Sequence, residues 1–93
     1  QVARCPIPPR VRLEETEALL AHLRAVPGDA PLIVDAREVE SLSTPAVLAL
    51  VAAARARADG PAPLAVESPS AAFVDAFSDL GLFQDLMKME FRA

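Results

Sequence analysis

Two hydroxyl–proline corners hold most of the side chains in this sequence that could do chemistry: Ser43-Thr44-Pro45 and Ser68-Pro69. A hydroxyl just before a proline at a helix start has two uses. It can accept a hydrogen bond from a first-turn amide and cap the helix. It can also be phosphorylated, where the half-positive helix end and its free amides favour a doubly charged group. Proline suits the first helical position, because its missing N–H would have had no partner there. On this reading Thr44 is the N-cap, Pro45 is the first helical residue, and Thr44 and Ser43 are the phosphoacceptor candidates. The competing reading is capping alone, and the repeat of the pattern at Ser68-Pro69 favours it.

Other reactive side chains are sparse. Cys5 is the one cysteine and His22 the one histidine, too few for the usual soft-ligand set of a metal, so no metal and no cofactor is expected. Cys5 sits among prolines with no base nearby in sequence, so it reads as a buried filler, and His22 as solvent-facing. Asp35 closes an apolar run and is expected to hold loop amides close to Thr44. The three glycines are not grouped, which argues against a phosphate-cradling loop. No acid–base or nucleophile–base set is spaced to act, so the chain does not read as an enzyme.

The composition bounds the rest. The 93 residues make one domain, 1–93, and 53% of them are hydrophobic, which excludes disorder. The net charge is −4 and Lys88 is the one lysine, so no nucleic-acid partner is expected. A lone cysteine points to a reducing, cytoplasmic setting. No apolar run reaches the length of a membrane span, and no leader is recognised, although the chain opens on Gln1 and not on Met.

The elements that must position these residues follow from periodicity. Residues 2–7 and 10–13 read as short strands, the first confined to an edge by its prolines. Residues 14–26 read as a helix with a Leu19, Leu20, Leu23, Val26 stripe, stopped by Pro27-Gly28. "PLIVDA", 31–36, reads as a central strand, 37–42 as a loop with Val39 and Leu42 tucked in, and 45–59 as a helix ended by Gly60-Pro61. Then come a strand at 63–68, a helix at 69–80 with a Phe73, Val74, Phe77, Leu80 stripe ended by Gly81, and a tail at 82–91 of a short helical turn and an edge strand. The order β(β)αβαβα predicts an α/β fold: a small open mixed β-sheet with helices packed against it.

The 45–59 helix has an unusual charge pattern. At 100° per residue, Val47, Leu50, Val51, Ala54 and Ala58 face the sheet. Leu48, Ala49, Ala52, Arg55, Ala56 and Asp59 face outward, and the first half of that face carries no charge. An apolar patch beside a modifiable hydroxyl reads as a protein-docking surface made of Leu42, Ser43, Thr44, Pro45, Leu48, Ala49 and Ala52.

An apolar strand ending in Val34-Asp35, a loop with Val39, a corner from Leu42 to Ala46, a strand ending near Ser68-Pro69 and a Leu80 to Phe83 ending follow one another in an order that resembles the STAS domain. That family includes anti-sigma-factor antagonists and the ends of sulfate transporters. In its antagonists the corner reads Asp-Ser/Thr-small-Gly, and an anti-sigma kinase phosphorylates the hydroxyl after the Asp. That position falls on Thr44, with Ser43, Pro45 and Ala46 where Asp, a small residue and Gly are usual. The resemblance implies a non-catalytic signalling module that binds a partner protein through the start of its second helix. It also implies alternatives without a used phosphosite: an accessory subunit of a lipid-transporting ABC system, or a chemotaxis-associated bacterial protein. None of these inserts directly into a membrane.

Overall fold

A computed structural model describes residues 3–92. Val2, placed above in the first strand, lies outside them. The elements run β1 (Ala3–Pro6), β2 (Arg10–Val11), α1 (Leu13–Ala25), β3 (Leu32–Asp35), β4 (Ser41–Leu42), α2 (Thr44–Arg57), β5 (Ala65–Glu67), α3 (Ala71–Asp79), α4 (Phe83–Met87) and β6 (Glu90–Arg92). The α/β class holds. The open sheet has the order β1-β3-β5-β6, and β2 pairs with β4 in a second, two-stranded sheet. Every ladder is parallel, where the sequence had suggested a mixed sheet.

The strand order steps one place in the same direction at each crossover. With crossovers of one hand, that puts every connecting helix on one face. The core agrees: Leu19 and Leu23 of α1, Val47, Leu50 and Val51 of α2, Phe73 and Phe77 of α3 and Leu86 of α4 pack with Cys5, Leu32, Val34 and Val66. Phe73 and Phe77 lie four residues apart, fully buried, with ring centroids 5.1 Å apart, and each contributes about 1.5–3 kcal/mol by leaving water. Leu80, the expected end of that stripe, is exposed because the helix has already closed. Gly81 takes φ 72°, and the Gly81 and Leu82 amides return to Ser78 and Phe77, a Schellman ending that glycine admits without strain.

Arg57 is a feature that periodicity did not predict. It sits in the last turn of α2 and is 4% exposed. Its guanidinium donates to the carbonyls of Ala30 (2.6 Å), Pro27 (2.8 Å) and Ala62 (3.2 Å). One side chain thus ties the chain leaving α1 to the segments entering β3 and β5. Because Arg57 turns inward, Ala58, expected on the sheet side, is exposed. No helix among the described residues is long and apolar enough to cross a membrane.

Candidate functional site

The segment from Ala36 to Ser43 leaves the carboxyl end of β3, the edge of a parallel sheet where such folds build their sites. It was expected to be a loop. Instead Ser41 and Leu42 form β4 beside Arg10 and Val11, and the stretch is pinned along its length. Glu40 and Ser41 donate to the Pro9 carbonyl at 2.6 and 3.0 Å, and the Ser43 amide donates to Val11 at 2.8 Å. Ser70 Oγ donates to the Val39 carbonyl at 2.7 Å and accepts from the Phe73 amide at 3.1 Å. Ser70 is therefore the cap of α3, and the corner expected at Ser68-Pro69 lies before the helix. Ser68 holds φ 50°, a left-handed conformation uncommon for a residue with a side chain.

At the root of this segment Asp35 Oδ1 accepts from the Arg37 amide at 3.2 Å and from Arg37 Nε at 3.1 Å. Arg37 reaches on to Glu67 at 2.9 Å, and Arg4 meets Glu67 at 2.8 Å. Desolvation pushes the Asp35 carboxyl upward, but the Arg37 amide, the Arg37 guanidinium and the Arg4 charge outweigh it and leave it below its usual range. Arg4 above all, with Arg37, lowers Glu67, and the bond to Asp35 raises Arg37. Asp35 thus holds a loop amide, as expected, and starts the path that ends at Thr44.

The corner itself corrects the cap assignment. Ser43, not Thr44, is the N-cap of α2; its Oγ accepts from the Ala46 amide at 3.2 Å, and Pro45 is the second helical residue. Ser43 Oγ also lies 2.6 Å from Thr16 Oγ1, and Thr16 Oγ1 donates to the Arg12 carbonyl at 2.7 Å. Each hydroxyl has one hydrogen. Thr16 has spent its own on Arg12, so Ser43 donates to Thr16. The result is a directed chain from the Ala46 amide through Ser43 and Thr16 to Arg12, which joins the starts of α1 and α2. Thr16 is buried, and no local pattern marks its role.

Thr44 is exposed, and its hydroxyl makes no hydrogen bond among the described residues. Ser43 and Leu42 are half-buried, and Pro45 is exposed. One turn on, Leu48 is 52% exposed, with Ala52 exposed and Ala49 half-buried, so the expected outward face does reach solvent. The amide cluster expected at this helix end is depleted. Pro45 has no N–H, the Ala46 N–H is held by Ser43 Oγ, and the Val47 N–H is held by the Ser43 carbonyl.

Thr44 stands at the rim of a groove of about 400 Å3 between the start of α2 and α3. Leu42, Val47, Ala72, Ala76 and Leu80 supply its apolar lining, and Glu40, Asp75 and Asp79 its charge. His22 is exposed, as expected. Cys5 is buried, and desolvation raises its thiol above the ordinary value, which suits a filler and not a nucleophile. Compared with known proteins, the chain matches no family model, no curated protein and no solved structure.

Proposed function

We propose that this chain is a non-catalytic, cytoplasmic protein-interaction domain of the STAS, anti-sigma-factor-antagonist kind. It engages a partner protein through the 37–44 segment and the start of α2, with Thr44 as its point of control. One observation carries the reading: of two adjacent hydroxyls, Ser43 is consumed in a part-buried relay, while that of Thr44 has no hydrogen bond among the described residues and Thr44 is exposed beside the uncharged Leu48 face. A phosphate on Thr44 would break no native hydrogen bond, so it would change the surface without unfolding the corner. A phosphate on Ser43 would break the relay.

The test is intact-mass analysis after incubation with a candidate anti-sigma-type kinase and ATP, on the wild type and on Thr44→Ala. Addition of one phosphate to the wild type and none to the variant supports the switch. No addition to the wild type removes the switch.

A second reading, a constitutive accessory subunit of a lipid-transporting or chemotaxis assembly, draws on the depleted amides of α2, which offer a phosphate little to bind. It expects Thr44→Ala to leave partner capture intact and Leu48→Asp to abolish it. Normal capture by Leu48→Asp counts against both.

A further inference from the structure

The groove beside Thr44 has an electrostatic anomaly. Asp75 and Asp79 stand four residues apart on α3, both exposed and on one helix face. Like charges at this spacing repel. Asp79 is also the last residue of α3, where the helix dipole disfavours an anion, and that turn carries no basic residue. Among the described residues neither carboxylate has an ion-pair partner; Glu14, Glu17, Asp29, Glu38 and Asp59 also have none, but none of those lines this groove. Glu40 also lines the groove and has Arg10 at 3.6 Å, and among the described residues no Lys or Arg lines the groove itself. Between the carboxylates lies an apolar lining that includes Leu80, 41% exposed.

We propose that this groove takes a cationic, partly apolar segment of the partner protein, two of whose Lys or Arg side chains meet Asp75 and Asp79 while their hydrocarbon stems and an adjacent apolar residue cover Leu42, Ala76 and Leu80. The inference rests on the reading of the α2 start as a partner interface, and it adds the chemistry of the partner. An arginine fits both parts of the groove, with an apolar stem for the lining and a planar fork for a carboxylate. Two such groups spaced one helical turn apart match Asp75 and Asp79, which are about 6 Å apart along the axis of α3.

The probe is a synthetic amphipathic peptide with two Arg four residues apart and Leu between them, titrated into the 15N-labelled chain and followed by amide NMR. The control peptide carries Glu at the Arg positions. The Arg peptide is expected to shift Thr44, Ala72, Asp75, Ala76 and Asp79, to bind about tenfold more weakly to Asp75→Asn/Asp79→Asn, and to weaken as salt rises past about 0.1 M. The double variant relieves a repulsion, so it folds, and its melting temperature is the check. No binding by the Arg peptide, equal binding by the Glu peptide, or shifts instead at Leu20, Ala53 and Ala56, which line a second groove between α1 and α2, would overturn the proposal. Pull-downs of the captured partner separate the two ideas. Capture lost by Leu48→Asp but kept by Asp75→Asn/Asp79→Asn ends the groove proposal and leaves the binding module. Capture kept by Leu48→Asp but lost by the double variant supports the groove and moves the interface off α2.

Discussion

Replacing Ser43 and Thr44 by alanine, one at a time, separates a structural hydroxyl from a free one. Ser43→Ala removes the acceptor for the Ala46 amide, a cap worth about 1 kcal/mol. It also removes the hydrogen that reaches buried Thr16, worth about another 1 kcal/mol. The two losses occur at one oxygen but on different partners, so the expected cost is about 2 kcal/mol. For a domain of this size that lowers the melting temperature by about 10 °C. Thr44→Ala removes an exposed hydroxyl with no partner among the described residues and improves helix propensity, so its expected change lies within about 0.5 kcal/mol. Urea titrations followed by circular dichroism give both values under identical conditions. A Thr44→Ala cost equal to that of Ser43→Ala would make Thr44 the cap after all, and the argument that its hydroxyl is available to a kinase would fall. Thr16→Val is the companion test: if the relay is real, the Ser43→Ala and Thr16→Val costs are not additive.

Arg57→Ala should cost about 3–5 kcal/mol, because it empties a buried site lined by three carbonyls; Arg57→Lys should recover only part of this, since a single ammonium cannot fork to Pro27, Ala30 and Ala62. Chemical denaturation of the two variants checks the order. Ser68→Gly should stabilise the fold by about 1 kcal/mol, because glycine takes φ 50° without the penalty a side chain meets there; a loss of stability would show that the Ser68 side chain holds something in place. Glu15, lowered chiefly by its bond from the Arg12 amide, and Asp35 and Glu67 all have folded carboxyls below their ordinary values. Their contribution is therefore present above pH 4.5 and is lost as pH falls through the lowered folded values. Urea midpoints should drop below pH 4.5, and Glu67→Gln should flatten that slope.

What could be read from the sequence was local. Leu32-Ile33-Val34 marks its own strand, Pro27-Gly28 stops its helix, and Gly81 forces a left-handed ending, each by a rule that needs only neighbours, whereas α2 closes at Arg57, two residues before the end expected from Gly60-Pro61. What was missed depends on distance. β4 is two residues long, too short for any period, and exists because Val11 and Pro9, some thirty positions earlier, offer carbonyls. Ser43 and Thr44 are both good caps, and Thr16, 27 residues away, selects between them. Ser70 outranks Ser68 for the same kind of reason, since its hydroxyl also reaches Val39, 31 positions back. In both corners the proline-first rule misplaced the cap because it weighed the backbone and not the second partner of the hydroxyl. Arg57 had no local signature, because two of its three carbonyl partners, Pro27 and Ala30, lie in a turn 30 and 27 positions earlier.

The one-sided sheet explains why the acidity of this chain gathers where it does. Alternation along the strands puts Arg4, Ile33, Ala65 and Glu90 in one cross-strand row of the helix-free face, and Pro6, Asp35, Glu67 and Arg92 in the next. Ile33 and Ala65 are nonetheless 3% and 2% exposed. Arg4, Arg37 and Arg92 face Asp35, Glu67 and Glu90 there, three cations against three anions, joined by ion pairs. That face is neutral, while the whole chain carries −4, so the excess negative charge must reside on the helix layer and its loops. A field divided in this way orients an approaching cationic surface toward the helices before contact and gives it little reason to stop on the sheet. The groove with Asp75, Asp79 and Thr44 at its rim lies on the helix side, at the carboxyl end where the segments are most firmly pinned. Reversing the sheet-face balance, for example by Glu67→Lys, should therefore damage folding without redirecting a partner, whereas neutralising Asp75 and Asp79 should slow association and leave the fold intact.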